Sequence, residues 1–177
     1  MSSSLYIAPP KSRAAIREYA TMIRRLLPGG DQPRLDIVRA LEVHLTRLDE
    51  RFEFSVLETW EMGENHALAH VNELRIEVRS DVYDGAVAGS GRDRMTLAHE
   101  LGHLVLHADV RLSRRMPGAA VRPFEDPEWQ AKCFVGELLI PKSWRALIRN
   151  PEEAATYLGV SKDAVITQLN AWQREGT

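Results

Sequence analysis

Apolar side chains recur every three or four positions near the amino end of the chain, which is the spacing of an amphipathic helix. A first helix is predicted over residues 12–27, where Pro28-Gly29-Gly30 ends it, and a second helix runs from about residue 37 to Asp49. The apolar positions of these two helices are Ile16, Tyr19, Ala20, Ile23, Leu26, Leu27, Ile37, Val38, Leu41, Leu45 and Leu48. Residues 1–50 are therefore expected to form an amino-terminal helical segment.

After residue 50 the spacing changes to the alternation of apolar and polar residues that is typical of β-strands. Strands are predicted over residues 52–57, 67–71 and 74–82, with polar turns at 63–65 and 72–73. Together they predict a small antiparallel sheet. Helical spacing returns over residues 96–108 and 126–141, so the fold class expected for the chain is α+β, with the sheet beside a long helix.

The most informative helix is the one that holds His99, Glu100 and His103 in the order H-E-x-x-H. Histidines four positions apart project from the same helical face, so both imidazoles can bind one tetrahedral zinc ion. Glu100 lies beside them and is suited to act as a general base, which takes a proton from an attacking water and returns it to a leaving amine. An apolar stripe on the opposite face indicates that this helix packs on a core: Leu97, Leu101, Leu104 and Ala108.

His107 continues the polar face of the same helix, but eight residues separate it from His99. At the rise of an α-helix their Cα atoms lie about 12 Å apart, so one zinc ion cannot be shared between them. We expect His107 to lie beside a metal ligand or in the cleft wall, or else to be a packed or solvated histidine.

The third ligand is predicted from the next helix, in which Asp126 is the N-cap and Pro127 the first residue. Glu128 lies on the apolar side of this helix, where a carboxylate needs a partner such as zinc. Two histidines and one glutamate, with a fourth position open, are typical of catalytic zinc. The alternatives are a first-turn glutamate favoured by the helix dipole, or Glu125 or Asp126 as the ligand.

Several other residues are candidates without a motif. Tyr83, His66 or His70 could donate a hydrogen bond to the oxyanion of the reaction. Residues 74–78 or 83–87 could be a sheet edge that binds an extended substrate, or part of a sheet that only supports the helix. The basic loop 109–122 either steers an acidic or DNA-bound substrate or is simply solvated, and its arginines are Arg111, Arg114, Arg115 and Arg122.

Length and charge limit the function classes. The chain has 177 residues, of which 44% are hydrophobic and 27% charged, as expected for one compact domain with small extensions. Its net charge of −2 predicts no direct binding to nucleic acid or membranes. The first residues lack a signal-peptide pattern, and no apolar run is long enough to span a membrane, so a cytoplasmic protein is expected. Cys133, the single cysteine, is expected to serve packing.

The carboxy-terminal residues resemble part of a helix-turn-helix, but their charge argues against DNA binding. Residues 150–177 contain Lys162 and Arg174 against four acidic residues, whereas a surface that contacts phosphates should be basic. We expect a helical cap or a partner-docking surface. The predicted organisation is therefore helices over 1–50, a zinc-peptidase core over 51–141 and a helical cap over 142–177.

The residues over 92–107 resemble those of the ImmA/IrrE metallopeptidases, as do Glu128-x-x-Ala131-x-x-Phe134 and Leu138-Leu139-Ile140-Pro141. This resemblance covers roughly residues 70–172 and implies a gluzincin-like zinc-peptidase fold in an intracellular protein. It also implies His99, His103 and Glu128 as zinc ligands, with Glu100 as the base. Several members of the family are implicated in cutting a helix-turn-helix repressor, and others accompany phage or toxin–antitoxin loci.

Lys132 is the main departure from the family pattern, because family members usually have Asn or Asp there to orient a zinc histidine. A lysine should point away from the metal, which predicts weaker zinc affinity or a degenerate member. Mn²⁺ or Fe²⁺ could also occupy these ligands.

The function expected from these residues is a zinc endopeptidase that makes limited cuts in a regulatory protein, such as a DNA-binding repressor. The alternative is a non-proteolytic partner that binds a repressor or antitoxin. A DNA-binding regulator is disfavoured by the acidic carboxy-terminal residues.

Overall fold

The computed structural model describes residues 6–108, 110, 112–114 and 121–176. The α-helices of these residues are α1 (Arg13–Leu26), α2 (Ile37–Arg39), α3 (Thr46–Leu48), α4 (Thr59–Met62), α5 (Ser80–Val87), α6 (Gly91–His107), α7 (Pro127–Leu139), α8 (Pro151–Leu158) and α9 (Lys162–Arg174). A π-helical segment (Ala40–Leu45) joins α2 to α3, and Pro123–Glu125 and Lys142–Leu147 are 3₁₀ helices. The strands are β1 (Tyr6–Ile7), β2 (Glu53–Leu57), β3 (Ala67–His70), β4 (Arg75–Arg79) and β5 (Ser113–Arg114). The predicted α+β class is confirmed.

The main sheet has three strands in the order β2-β4-β3. β3 and β4 form the predicted antiparallel hairpin, in which Leu68 pairs with Glu77, but β2 pairs parallel to β4, with Phe54 opposite Ile76. The prediction of a purely antiparallel sheet was therefore wrong. After β2 the chain passes through α4, and this connection places β3 one strand away from β2, so that β4 fits between them.

The two segments predicted as possible sheet edges are not edges. Residues 74–78 fall largely in β4, which is the central strand, and residues 83–87 belong to helix α5. Val82 and Ala86 are buried four positions apart, so helical spacing already begins where the predicted third strand was extended to residue 82. The real edges of this sheet are β2 and β3.

Helix α6 begins where Ser90 caps it, since the Ser90 hydroxyl accepts a hydrogen bond from the backbone N–H of Asp93. Three of the four residues of its predicted apolar stripe are buried, with Leu97, Leu101 and Leu104 at most 4% exposed, whereas Ala108 is half-buried at the C-cap. α6 packs against α7 on one side and against β3 on another. The polar face of α6 therefore lies between a helix and a sheet edge.

Close packing of α6 on α7 depends on Gly102. A Cβ at this position would lie 3.0 Å from the Phe134 ring and 3.4 Å from the Ala131 Cα atom, so a larger residue would push the helices apart. α7 begins as predicted, with the Asp126 carboxylate accepting a hydrogen bond from the Glu128 N–H at 3.0 Å and Pro127 in the first turn.

The two ends of the chain pack on the same core. α1 packs along α7, and α9 contacts α7 from the carboxy-terminal side. The buried Arg94 of α6 donates a hydrogen bond to the Gly159 carbonyl at 2.8 Å, which ties α6 to the turn between α8 and α9. In the described ranges no helix is both long and apolar enough to cross a membrane.

Candidate metal centre

Potential ligand atoms of three residues converge between α6 and α7. His99 Nε2 and His103 Nε2 lie 3.1 Å apart, and the two carboxylate oxygens of Glu128 lie 3.3 Å from His99 Nε2 and 3.2 Å from His103 Nε2. A tetrahedral zinc ion with bonds of about 2.0–2.1 Å separates its ligand atoms by about 3.3 Å. Each of these three distances is therefore close to the edge of a zinc tetrahedron.

The local structure explains this convergence. One helical turn separates the two histidines of α6, so their rings stack on the same face with centroids 4.7 Å apart. Glu128 lies in the first turn of α7, and the contact at Gly102 brings that turn within reach of the histidines. Within the described ranges this is the one group of three His, Cys, Asp or Glu residues that could hold a metal. Glu125 and Asp126 are outside it.

The charges of the cluster fit a divalent cation. Hydrogen bonds from the His103 and His99 imidazoles hold the pKa of the Glu128 carboxyl well below its usual range. The cluster therefore brings a carboxylate together with two histidine side chains, which is the donor set that zinc takes in catalytic sites.

Glu100 is held by the neighbouring sheet edge. Its carboxylate accepts a hydrogen bond from the backbone N–H of Ala69 in β3. Burial raises the pKa of Glu100, against the effects of the two imidazoles and of the Ala69 hydrogen bond, which lower it. A partly buried carboxylate with a raised pKa, beside the candidate metal ligands, has the properties of a general base.

His107 is buried and contacts a candidate ligand. It is 1% exposed, its Nδ1 lies 3.3 Å from His103 Nδ1, and its Nε2 lies 3.0 Å from Gln130 Oε1. Burial lowers the pKa of His107 to about 4, so the ring is neutral at pH 7. Of the placements left open by the sequence, the structure shows a histidine packed beside a candidate metal ligand.

The other predicted donors have partners elsewhere. The Tyr83 hydroxyl donates to the Glu42 carboxylate, and this bond raises the pKa of Tyr83 to about 12. The Arg79 guanidinium is hydrogen-bonded to His66 Nδ1, and His70 Nε2 lies 2.9 Å from the Glu77 carboxylate. None of the three belongs to the metal cluster.

The remaining sequence candidates are placed as follows. Lys132 is exposed, and it lines the same groove as His99. Cys133 is buried, and burial raises the pKa of its thiol to about 11, in keeping with a packing role. In the basic loop, Arg114 lies in the short strand β5 and Arg122 over the Phe124 ring. Arg111 and Arg115 lie outside the described residues.

Comparison with known families identifies the region that carries this site. Residues 88–170 match the family model of the M78 peptidases, which is described as the IrrE N-terminal-like domain. These residues are similar to the IrrE N-terminal-like domain. The match confirms the resemblance to the ImmA/IrrE family, and it contains all three candidate ligands together with Glu100. The IrrE N-terminal-like domain is a metallopeptidase domain of zincin-like fold. None of the curated proteins compared with the chain matches it.

Two groups near the candidate site were not predicted from the sequence: the Gln130 side chain and the backbone N–H of Ala69. Gln130 is 0% exposed on the apolar side of α7, four positions before Phe134, and a glutamine at such a position must find polar partners. That signal was available. The Ala69 N–H was not predictable, because its role follows from the position of β3 and involves no side chain.

Proposed function

We propose that this protein is a zinc-dependent endopeptidase that makes limited cuts in a regulatory protein. The observation that carries the proposal is the convergence of the ligand atoms of His99, His103 and Glu128. Glu100 directly follows His99 in the same helix. The match of residues 88–170 to a metallopeptidase family supports the same conclusion.

The residues have distinct tasks in this mechanism. When bound, zinc supplies Lewis-acid chemistry, which polarises a scissile carbonyl and acidifies a water molecule. The Glu100 carboxylate takes the proton from the attacking water and passes it to the nitrogen of the leaving amine. The Ala69 N–H lies beside that carboxylate, which places the base next to the edge of β3.

The free edge of β3 is suited to bind the substrate as an added strand. The His66 carbonyl accepts from the Arg79 N–H, and in the antiparallel register the backbone groups of Leu68 and His70 also face β4. The backbone groups of Ala67 and Ala69 therefore face away from β4, and the Ala69 N–H reaches Glu100. An extended peptide on this edge would pass beside the general base.

A groove beside His99 suggests the side chains that the substrate carries near its cut. The groove has a volume of about 760 Å³ and lies between α6, α7 and α9. Its apolar lining includes Met95, Trp129 and Cys133. Its cationic lining is Arg13, Arg92 and Lys132, against the single carboxylate of Asp163. We propose that it takes an apolar side chain next to an acidic one.

The family resemblance supports a helix-turn-helix repressor in the cytoplasm as the substrate. It also leaves a second function to be tested, in which the chain binds a repressor or antitoxin without cutting it. The residue that favours this alternative is Lys132, which is exposed in the groove beside His99. The intact cluster and Glu100 favour proteolysis, because binding alone does not need a base.

The test compares protein amino-termini in cells of the native host that express the parent or Glu100→Gln. We expect new termini with the parent alone, concentrated in one transcription factor, because the variant keeps its ligands but loses the base. Zinc binding by purified Glu100→Gln is the control and should match the parent. Identical termini under inducing stress would contradict proteolysis and favour the binding role.

A further inference from the structure

Gln130 is a buried glutamine whose hydrogen bonds fix its orientation. Its Nε2 donates to the Pro9 carbonyl at 2.9 Å and to the Phe124 carbonyl at 2.8 Å. Both amide hydrogens are used in these bonds, so the group that faces His107 is the carbonyl oxygen Oε1, which can only accept. The side chain is 0% exposed, and water does not compete for this contact.

The orientation of Gln130 determines where His107 carries its proton. His107 Nε2 lies 3.0 Å from Gln130 Oε1 and must donate to it, so in the neutral ring Nδ1 holds a lone pair. This Nδ1 lies 3.3 Å from His103 Nδ1. Two lone pairs cannot form a hydrogen bond, so His103 Nδ1 carries a hydrogen and donates it. With its hydrogen on Nδ1, His103 can bind a metal through Nε2, the atom that lies in the cluster and that contacts the Glu128 carboxylate at 3.2 Å when no metal is bound.

We propose that Gln130 and His107 are positioning residues, which hold His103 in the tautomer that binds metal through Nε2. The chain of hydrogen bonds begins at backbone carbonyls, one of which, that of Pro9, lies in the amino-terminal segment. That segment is fixed in place because the Ala8 N–H donates to the Glu125 carbonyl and the Lys11 N–H to the Phe124 carbonyl. An interaction far from the H-E-x-x-H motif thus sets the state of one of its histidines. The inference rests on the proposed metal site.

The tautomers can be measured directly in the parent protein. Nitrogen-15 NMR of the histidine rings, in metal-free and zinc-loaded protein, should show a hydrogen on Nε2 of His107 and on Nδ1 of His103 in both states. A hydrogen on Nδ1 of His107 would overturn the proposal, and this reading does not depend on any variant folding.

Gln130→Leu tests the effect on the metal, because it removes the acceptor in a side chain of similar size. We expect a mixture of His107 tautomers and a zinc affinity about 10–100 times weaker, measured by competition with a chelator. His107→Phe, which keeps a ring but cannot accept from His103, should weaken zinc binding to a similar degree.

The matched control is Gln168→Leu, which removes another buried glutamine, 3% exposed, that accepts from Arg13 outside the metal cluster. It should leave the tautomers and the zinc affinity unchanged. If Gln130→Leu equals the parent in both measurements, the positioning role is wrong although the metal site stands. If the parent itself binds no zinc, the proposed function is overturned.

Discussion

At the scale of the residue, Glu128 is the ligand assignment that is easiest to test. Glu128→Ala removes one of three ligands, and we expect zinc affinity to fall by more than about 100-fold, since even residues that only support a ligand typically cost 10–100-fold. Glu125→Ala is the matched control, because Glu125 precedes the same helix outside the cluster and should bind zinc like the parent. Competition with a chelator measures both, and equal affinities would refute the assignment of Glu128.

The sequence was informative about residues whose side chains carry the chemistry. His99 and His103 follow from helical spacing alone, and Glu128 from a carboxylate on an apolar face. The contacts of His107 and Ala69 could not be predicted from the sequence, because each is made with a residue of another element. His107 contacts Gln130, and Ala69 contacts Glu100. Spacing along one helix fixes which side chains share a face but not what packs against that face.

At the scale of the element, the α6–α7 contact should control the metal centre. Gly102→Val places a branched side chain where even a Cβ would lie 3.0 Å from Phe134. We expect unfolding free energy to fall by about 1–3 kcal/mol through overpacking, and zinc affinity to fall because Glu128 moves away from the histidines. Urea denaturation of the metal-free protein and chelator competition measure the two effects.

The control for this prediction is Arg92→Val, which introduces the same side chain at an exposed position of α6. It should change stability by about 0.5 kcal/mol or less. The prediction is wrong if Gly102→Val is as stable as this control and binds zinc like the parent. The α6–α7 contact would then accommodate a larger side chain.

Elements with a strong internal pattern were predictable, and their partners were less so. Helices α1 and α7 lie where apolar spacing and end signals predicted them, whereas α6 begins at Gly91, five residues before its predicted start. Alternation identified β2 as a strand but could not reveal its parallel pairing with β4, because the same pattern fits either direction. Residues 83–87 were placed at a possible strand edge although the spacing of Val82 and Ala86 is helical. Short apolar runs carry this ambiguity.

At the scale of the whole molecule, the core extends beyond the family match. Ile16 and Ala20 before residue 88, and Trp172 after residue 170, belong to the same hydrophobic core as the buried face of α6. The buried Glu137 of α7 joins these parts by accepting from Arg13 and Arg17 of α1, and Arg17 also binds Glu175 beyond α9. The site-bearing helices are therefore held from both ends of the chain.

Removing one charge of this junction should lower the unfolding free energy more than removing both charges of the pair. Arg17→Met leaves the Glu137 carboxylate, 0% exposed, with only the longer 3.3 Å contact to Arg13, and should lower unfolding free energy by about 2–4 kcal/mol. Adding Glu137→Met should recover much of that loss, because the cost comes from a buried charge without its partner. Arg51→Met, which breaks an ion pair with Asp49 at an exposed site, should cost about 0–1 kcal/mol. Urea denaturation of the parent and the three variants measures these changes in unfolding free energy. If Arg17→Met lowers it no more than Arg51→Met does, Glu137 does not hold the two ends of the chain on α7.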